Sequence, residues 1–401
     1  MAGAPGPAEP RAEAASRKRA PAGPSGWIAT AVAAACLLPM LAVLIAALTG
    51  GTDTVMHLAG TVLPRYIGAT ALLSFLVATG AFLIGTAAAW LVTMTRFPGV
   101  RLFEITLVLP LAFPAYVMAY AYTHVLDHPG IVQATLRQVT GWGPRDYWFP
   151  EIRSLGGAAV MLTLVLYPYV YLLARAAFLQ QSASALLVAR TLGQTSLETF
   201  WRVSLPMARP AIAAGVLLAV METIADFGTV AYFSVQTFAT GIYQSWFSMA
   251  DRSAAAQLAL CLLIFSLALA VTERRQRGRA RYHAAGKSHM RVPRERLTGW
   301  RAALATLFCA LPVLLGFVLP SIILLEMAIG SGQDLLSSRY LGFLRNSLSL
   351  ASVAAVVTLG AAIAVGFHQR MRPGRSAQVT SYIARLGYAV PGGVIAVGLL
   401  V

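Results

Sequence analysis

Apolar runs far longer than a soluble helix needs alternate with short polar breaks along this chain. A helix needs about 20 apolar residues to cross the hydrocarbon core of a bilayer. Nine segments reach that length, at approximately 27–49, 67–95, 102–126, 155–179, 210–234, 253–272, 302–329, 343–368 and 386–401. The pattern predicts an all-α polytopic membrane protein with nine spans. Pro110, Pro114, Pro168 and Pro391 fall inside these runs. Membrane helices tolerate proline because neighbouring helices re-satisfy the freed backbone groups. Kinked helices around a cavity are therefore expected.

Composition agrees. Of 401 residues, 58% are hydrophobic and 11% charged, against about 25% charged in a soluble domain. The net charge of +16 gains meaning from its placement. Segments 1–26, 96–101, 175–209, 273–301 and 369–385 hold 24 of the 31 Lys and Arg. The other seven (31 − 24) are Arg65, Arg137, Arg145, Arg153, Arg252, Arg339 and Arg345. The positive-inside rule then predicts a multi-pass membrane protein with a cytoplasmic N-terminus. Residues 1–26, rich in Ala, Pro, Gly and Ser with Arg17-Lys18-Arg19, read as a disordered basic cytoplasmic tail before an uncleaved anchor. The ten Lys and Arg of 273–301 read as a cytoplasmic linker lying on anionic lipid, not as a nucleic-acid site. Gly286-Lys287-Ser288 is no phosphate loop, because position 281 is Arg where such a loop needs Gly. Cys36, Cys261 and Cys309 sit singly in apolar runs and read as packing residues.

The chain also repeats itself. Ser74, Gly85, Ala87, Ala89, Pro98 and Gly99 match Ser349, Gly360, Ala362, Ala364, Pro373 and Gly374 at an offset of 275. Pro114 through Ala119 then match Pro391 through Ala396 at 277. Two parallel pseudo-repeats of about six helices are expected, with the pathway between them. The pattern predicts a first half over 27–272 with six spans, a linker over 273–301, and an incomplete second half over 302–401 with three. A complete pair of repeats is expected to run to roughly residue 550 (275 + 275).

Between the fourth and fifth spans the chain reads Leu187-Val188-Ala189-Arg190-Thr191-Leu192-Gly193, then nine residues, then Val203-Ser204-Leu205-Pro206. The helix formers of 182–192, a glycine break, and Thr195 or Ser196 as a helix cap predict two short helices. Pro206 and Pro210 are expected to close the loop and open span five. The spacing resembles the motif shared by permeases of ATP-binding-cassette (ABC) importers: Glu-Ala-Ala, three residues, Gly, nine residues, Ile, one residue, Leu-Pro. Leu187 and Val188 replace the motif's Glu and first Ala. The resemblance implies the ABC importer transmembrane-domain fold. It further implies that Leu187, Val188, Ala189, Arg190, Gly193, Val203, Leu205 and Pro206 dock on a cytoplasmic ATPase dimer. ATP and Mg are then bound by that partner, and this chain performs no covalent chemistry and binds no cofactor.

Span five and its exit read Met221-Glu222-Thr223-Ile224-Ala225-Asp226-Phe227-Gly228-Thr229, with Tyr232, Tyr243, Trp246 and Phe247 beyond. Glu222 and Asp226, four apart, are expected on one helix face. Acidic groups inside a span usually face the bundle interior or a wet cavity, and carboxylates suit a hard cation. The same residues fit plain helix packing. The stretch resembles permeases for ferric iron, which implies Fe3+ as cargo delivered by a periplasmic binding protein. It also makes Glu222, Asp226, Tyr232 and Tyr243 pathway candidates. Permeases for thiamine, polyamine or phosphonate, and a gradient-driven secondary transporter, are the competing readings. His124, Asp127 and His128 form a weaker metal candidate, Trp142, Tyr147 and Trp148 read as interfacial anchors, and Glu104 and Glu326 read as solvated span ends.

Overall fold

The computed structural model describes residues 24–181, 187–189, 191–279, 294–332, 334, 337–371 and 374–401. They fall into two compact units, one spanning Leu38–Leu335 with Tyr388–Val401, the other holding the described residues up to Leu37 with those of Leu336–Gly387. In chain order the first elements are α1 (Pro24–Thr49), α2 (Thr52–Gly60), α3 (Leu63–Met94), β1 (Thr95–Arg96), α4 (Val100–Thr106), α5 (Ala115–Leu126), α6 (Ile131–Thr140) and α7 (Leu155–Leu179). Then follow α8 (Ser196–Thr199), α9 (Leu205–Ala225), α10 (Gly228–Tyr232), α11 (Phe238–Tyr243), α12 (Arg252–Arg279) and β2 (Glu295–Arg296). The rest are α13 (Gly299–Val313), α14 (Leu319–Gly330), α15 (Ser338–Met371), α16 (Arg375–Leu386) and α17 (Gly392–Leu400). Seven spans are continuous and two more are broken helix pairs, so the described residues supply seven to nine crossings by length and composition.

In the larger unit, α3 and α9 both pack on α7, and glycine makes the approach possible. A Cβ on Gly85 would sit 2.8 Å from the Tyr167 carbonyl and 2.9 Å from the Tyr171 amide. A Cβ on Gly215 would sit 2.8 Å from the Val170 Cα. Small residues that admit a neighbouring backbone are a usual device of membrane helix packing. Tyr167 and Tyr171, both fully buried, turn their hydroxyls to the break in the third span. They donate to the Leu107 carbonyl at 2.8 Å and the Glu104 carbonyl at 3.0 Å. These are carbonyls near a helix end, which need partners from outside the helix.

The third span, expected as one helix over 102–126, is bent by 91°. A 3-10 turn over Leu109–Ala112 ends its first part, Phe113 is extended ahead of Pro114, and Pro114 caps α5. The residue before a proline is driven out of the helical region, which fixes the break there. α16 and α17 repeat the sequence of events, with a 3-10 turn over Gly387–Ala389 and then Pro391.

Span five also differs from its expected limits of 210–234. Its helix begins at Ser196 and stops at Ala225. Pro206 stands in the first turn of α9, as expected, but the helical run reaches back from it through a π-helical turn over Phe200–Ser204, and Pro210 lies inside α9. A widened turn relieves the clash between a proline ring and the carbonyl before it.

In the smaller unit, α15 has no buried residue, as suits an apolar helix exposed to lipid along its length. Gln369 Oε1 accepts from Ser381 Oγ at 3.0 Å and from Arg385 Nη2 at 3.3 Å, which fastens α16 to the end of α15.

Candidate functional site

The loop between α7 and α9 is a small apolar knob. Leu187–Ala189 is helical, while Arg190 and residues 182–186 lie outside the described residues. Leu192 N–H donates to the Val188 carbonyl at 3.0 Å and Gln194 N–H to the Ala189 carbonyl at 3.1 Å. Gly193 makes the turn at φ +81°, a conformation glycine adopts without penalty. Thr195 then caps α8 in a reciprocal box with Glu198: the Glu198 amide donates to Thr195 Oγ1 at 3.3 Å, and the Thr195 amide to Glu198 Oε2 at 2.9 Å. Val188, Leu192, Leu197 and Trp201 stand exposed around this turn, Leu192 at 76%. Exposed apolar clusters of this kind mark contact surfaces. The root of the knob is anchored. Phe200 packs on Trp90 at 4.9 Å and on Phe178 at 6.4 Å, Leu205 is buried, Val203 is half-buried, and Gln181 Nε2 donates to the Ser204 carbonyl at 2.8 Å. Pro206 follows at the head of α9.

Beside the knob, the end of the basic linker is tied into the bundle. β2 pairs in parallel with β1, Thr95 opposite Glu295 and Arg96 opposite Arg296. The Leu297 amide continues the ladder to the Arg96 carbonyl at 3.0 Å. Ser196 Oγ donates to the Glu295 carboxylate. Glu104, read from sequence as a solvated span end, instead accepts Arg294 Nη1 at 2.9 Å and Arg175 Nη2 at 3.1 Å, with 22% of its side chain exposed. Sequence reasoning missed this cluster because its members lie 71 and 190 residues apart. Glu295 between two arginines was the one local hint. Gly286-Lys287-Ser288 lies outside the described residues.

The pathway candidates separate. Asp226 is the position just past the Glu222 helix, which ends at Ala225: its amide still bonds back to the Thr223 carbonyl at 3.3 Å, and its extended ψ of 124° turns the chain beyond it. Its carboxylate caps α10, with Oδ2 accepting the Thr229 amide at 3.0 Å and the Val230 amide at 3.2 Å, and Oδ1 accepting Thr229 Oγ1 at 3.0 Å. Glu222, half-buried, accepts the Tyr388 hydroxyl at 2.9 Å. That bond joins residues 166 apart. Tyr243 lies between Phe227 at 4.8 Å and Phe247 at 4.7 Å. It lines a cavity of ≈ 320 Å³ whose walls also include Ile224, Trp246, Pro391 and Gly393. Tyr232 stands elsewhere, edge-on to Tyr120 at 6.1 Å with the Arg153 guanidinium 5.3 Å from its ring centroid.

Arg153 also pairs with Asp127 at 3.1 Å, and Asp127 Oδ1 accepts the His128 amide at 2.9 Å. Asp127 is thus engaged in the loop that follows α5. Among the described residues no group of three or more His, Cys, Asp or Glu is placed to hold a metal. Trp142 stacks on Tyr147 at 6.0 Å, and Trp148 is 85% exposed.

The model of a family described as binding-protein-dependent transport system inner membrane component matches residues 81–281, half of the chain. The chain is 28% identical over 373 residues to an Fe(3+)-transport system permease protein of Haemophilus influenzae, covering 91% of this chain and 68% of that one. It is 27% identical over 227 residues to a putative 2-aminoethylphosphonate transport system permease of Salmonella choleraesuis, covering 55% and 77%. An inward-facing MetNI methionine ABC transporter aligns with a TM-score of 0.43 at 17% identity, over 54% of this chain and 95% of that one.

Proposed function

This chain belongs to the family of binding-protein-dependent transport system inner membrane components, and on that premise we propose that it carries ferric iron across the bacterial inner membrane. It is a transmembrane permease subunit of an ABC importer, partnered by a cytoplasmic ATPase and a periplasmic substrate-binding protein. Its work is conformational and involves no covalent chemistry. The observation that carries the iron reading is reach. Similarity to the ferric permease covers 91% of the chain, linker and later spans included, whereas similarity to the phosphonate permease covers 55%. Glu222 with Tyr388 supplies hard oxygen donors of the class that suits such a cation. Tyr243 at the cavity is the next candidate, with Asp226 and Tyr232 acting through position.

Two parallel repeats belong to the same reading. Helix starts recur at near-constant spacing: Leu63 and Ser338 (338 − 63 = 275), Val100 and Arg375 (375 − 100 = 275), Ala115 and Gly392 (392 − 115 = 277). The halves are then 27–272 and 302–401, joined by 273–301. The end carrying Gly193 and β2 faces the cytoplasm, where the excess of Arg lies. Leu187, Val188, Ala189, Arg190, Gly193, Val203, Leu205 and Pro206 form and support the knob that meets the ATPase.

The test is uptake in cells lacking the chromosomal copy. Uptake of radiolabelled Fe(III) supplied as ferric citrate should fall to background and return on complementation. Growth on 2-aminoethylphosphonate as sole phosphorus source should be unchanged. Unaltered iron uptake together with lost growth on the phosphonate would transfer the assignment to that cargo.

A further inference from the structure

We infer that residues 294–297, at the exit of the linker, form a relay that carries movement of the ATPase-contacting knob to the bent third span. This rests on the reading of the 187–206 loop as the ATPase contact. Three different bonds leave this four-residue segment. The Glu295 carboxylate accepts from Ser196 Oγ, at the first residue of α8. The backbone of 295–297 is zipped to Thr95 and Arg96 at the foot of α3. Arg294 grips Glu104, whose second carboxylate oxygen is held by Arg175 of α7. Glu104 lies on α4, immediately ahead of the Leu109–Pro114 break about which the third span turns by 91°. Contiguous polar contacts thus run from the first turn of α8 to the helix that enters the bend of the third span. Coupling between sites is carried by such contacts when they end on an element with two arrangements. Partly buried ion pairs also keep their strength in salt better than exposed ones. Arg294 and Glu295 are assigned as positioning residues.

The experiment uses the full chain purified with its ATPase in lipid nanodiscs, with the three native cysteines replaced by alanine. Tyr116→Cys places a probe just past the break, on the exposed side of α5. The rotational correlation time of a nitroxide label on that cysteine, read by electron paramagnetic resonance, is compared with and without ATP plus vanadate. The parent should show a several-fold change. Glu295→Ala and Arg294→Ala should lose it while the ATPase stays bound. Glu295→Gln, which keeps an oxygen acceptor for Ser196, should retain it. A full response in both alanine variants overturns the relay and leaves the knob assignment standing. Should Glu295→Ala fail to assemble, Arg294→Ala, which leaves the knob untouched, decides the matter. Failure of the unmodified chain to retain an ATPase overturns the knob assignment, and the relay with it.

Discussion

The two acidic residues of span five, close in sequence, take different hydrogen-bond partners. Spaced four apart, Glu222 and Asp226 would project together from a continuous helix. Asp226 stands just past the end of that helix, and its carboxylate satisfies the first amides of α10. Residue spacing is legible in a sequence, and where a helix yields to a capping carboxylate is much less so. The two roles predict different losses. Asp226→Ala leaves the Thr229 and Val230 amides without their acceptor and should cost about 0.5–2 kcal/mol, the usual worth of a cap. A thermal melt in detergent should show that drop. Glu222→Gln keeps an acceptor for the Tyr388 hydroxyl and removes only charge, so it should melt like the parent. If its charge serves the cargo, Fe(III) uptake by Glu222→Gln falls regardless. Equal melting losses for both variants would contradict the division of roles.

At the scale of an element, the knob around Gly193 was the most legible part of the chain. Its turn needs a left-handed glycine and its second helix needs a cap, and both requirements are written in local residue types. What supports the knob was not legible. The Phe200, Trp90 and Phe178 cluster and the Glu295 contact come from segments distant in sequence, brought together only by folding. Nor did the prolines reveal that α8 and span five form one continuous helical run, since a π-turn hides their cost. The local logic yields a graded prediction. Among the described residues, no atom beyond its chain neighbours lies within 4 Å of a Cβ built on Gly193, so its backbone angle is what penalises substitution there. Gly193→Asn should therefore support near-normal co-purification of the ATPase, because Asn tolerates the left-handed region. Gly193→Val, strained by about 1–2 kcal/mol in that region, should weaken it. Equal behaviour of the two variants would show that side-chain contact, not turn geometry, governs docking.

For the whole molecule, hydropathy foretold the order of the apolar segments, seven of which are continuous spans among the described residues, but not the bends that break the other two. Apolar length is a one-dimensional property, whereas the bends follow from where Pro114 and Pro391 force the chain out of helix. The charge distribution carries the remaining global information, since helix packing would be the same with the bundle inverted in the membrane. Arg296 in β2 and Trp148 in the loop before α7 are both exposed, and the asymmetry predicts them on opposite sides. Single cysteines at these positions, in the cysteine-free background, make the orientation measurable. In intact spheroplasts an impermeant maleimide should label Trp148→Cys rapidly and Arg296→Cys only after lysis. Inverted vesicles should show the reverse. The opposite pattern would place the knob outside the cell, out of reach of any ATPase. The Arg excess at that end would then reflect its binding surface, not the direction in which the chain was threaded.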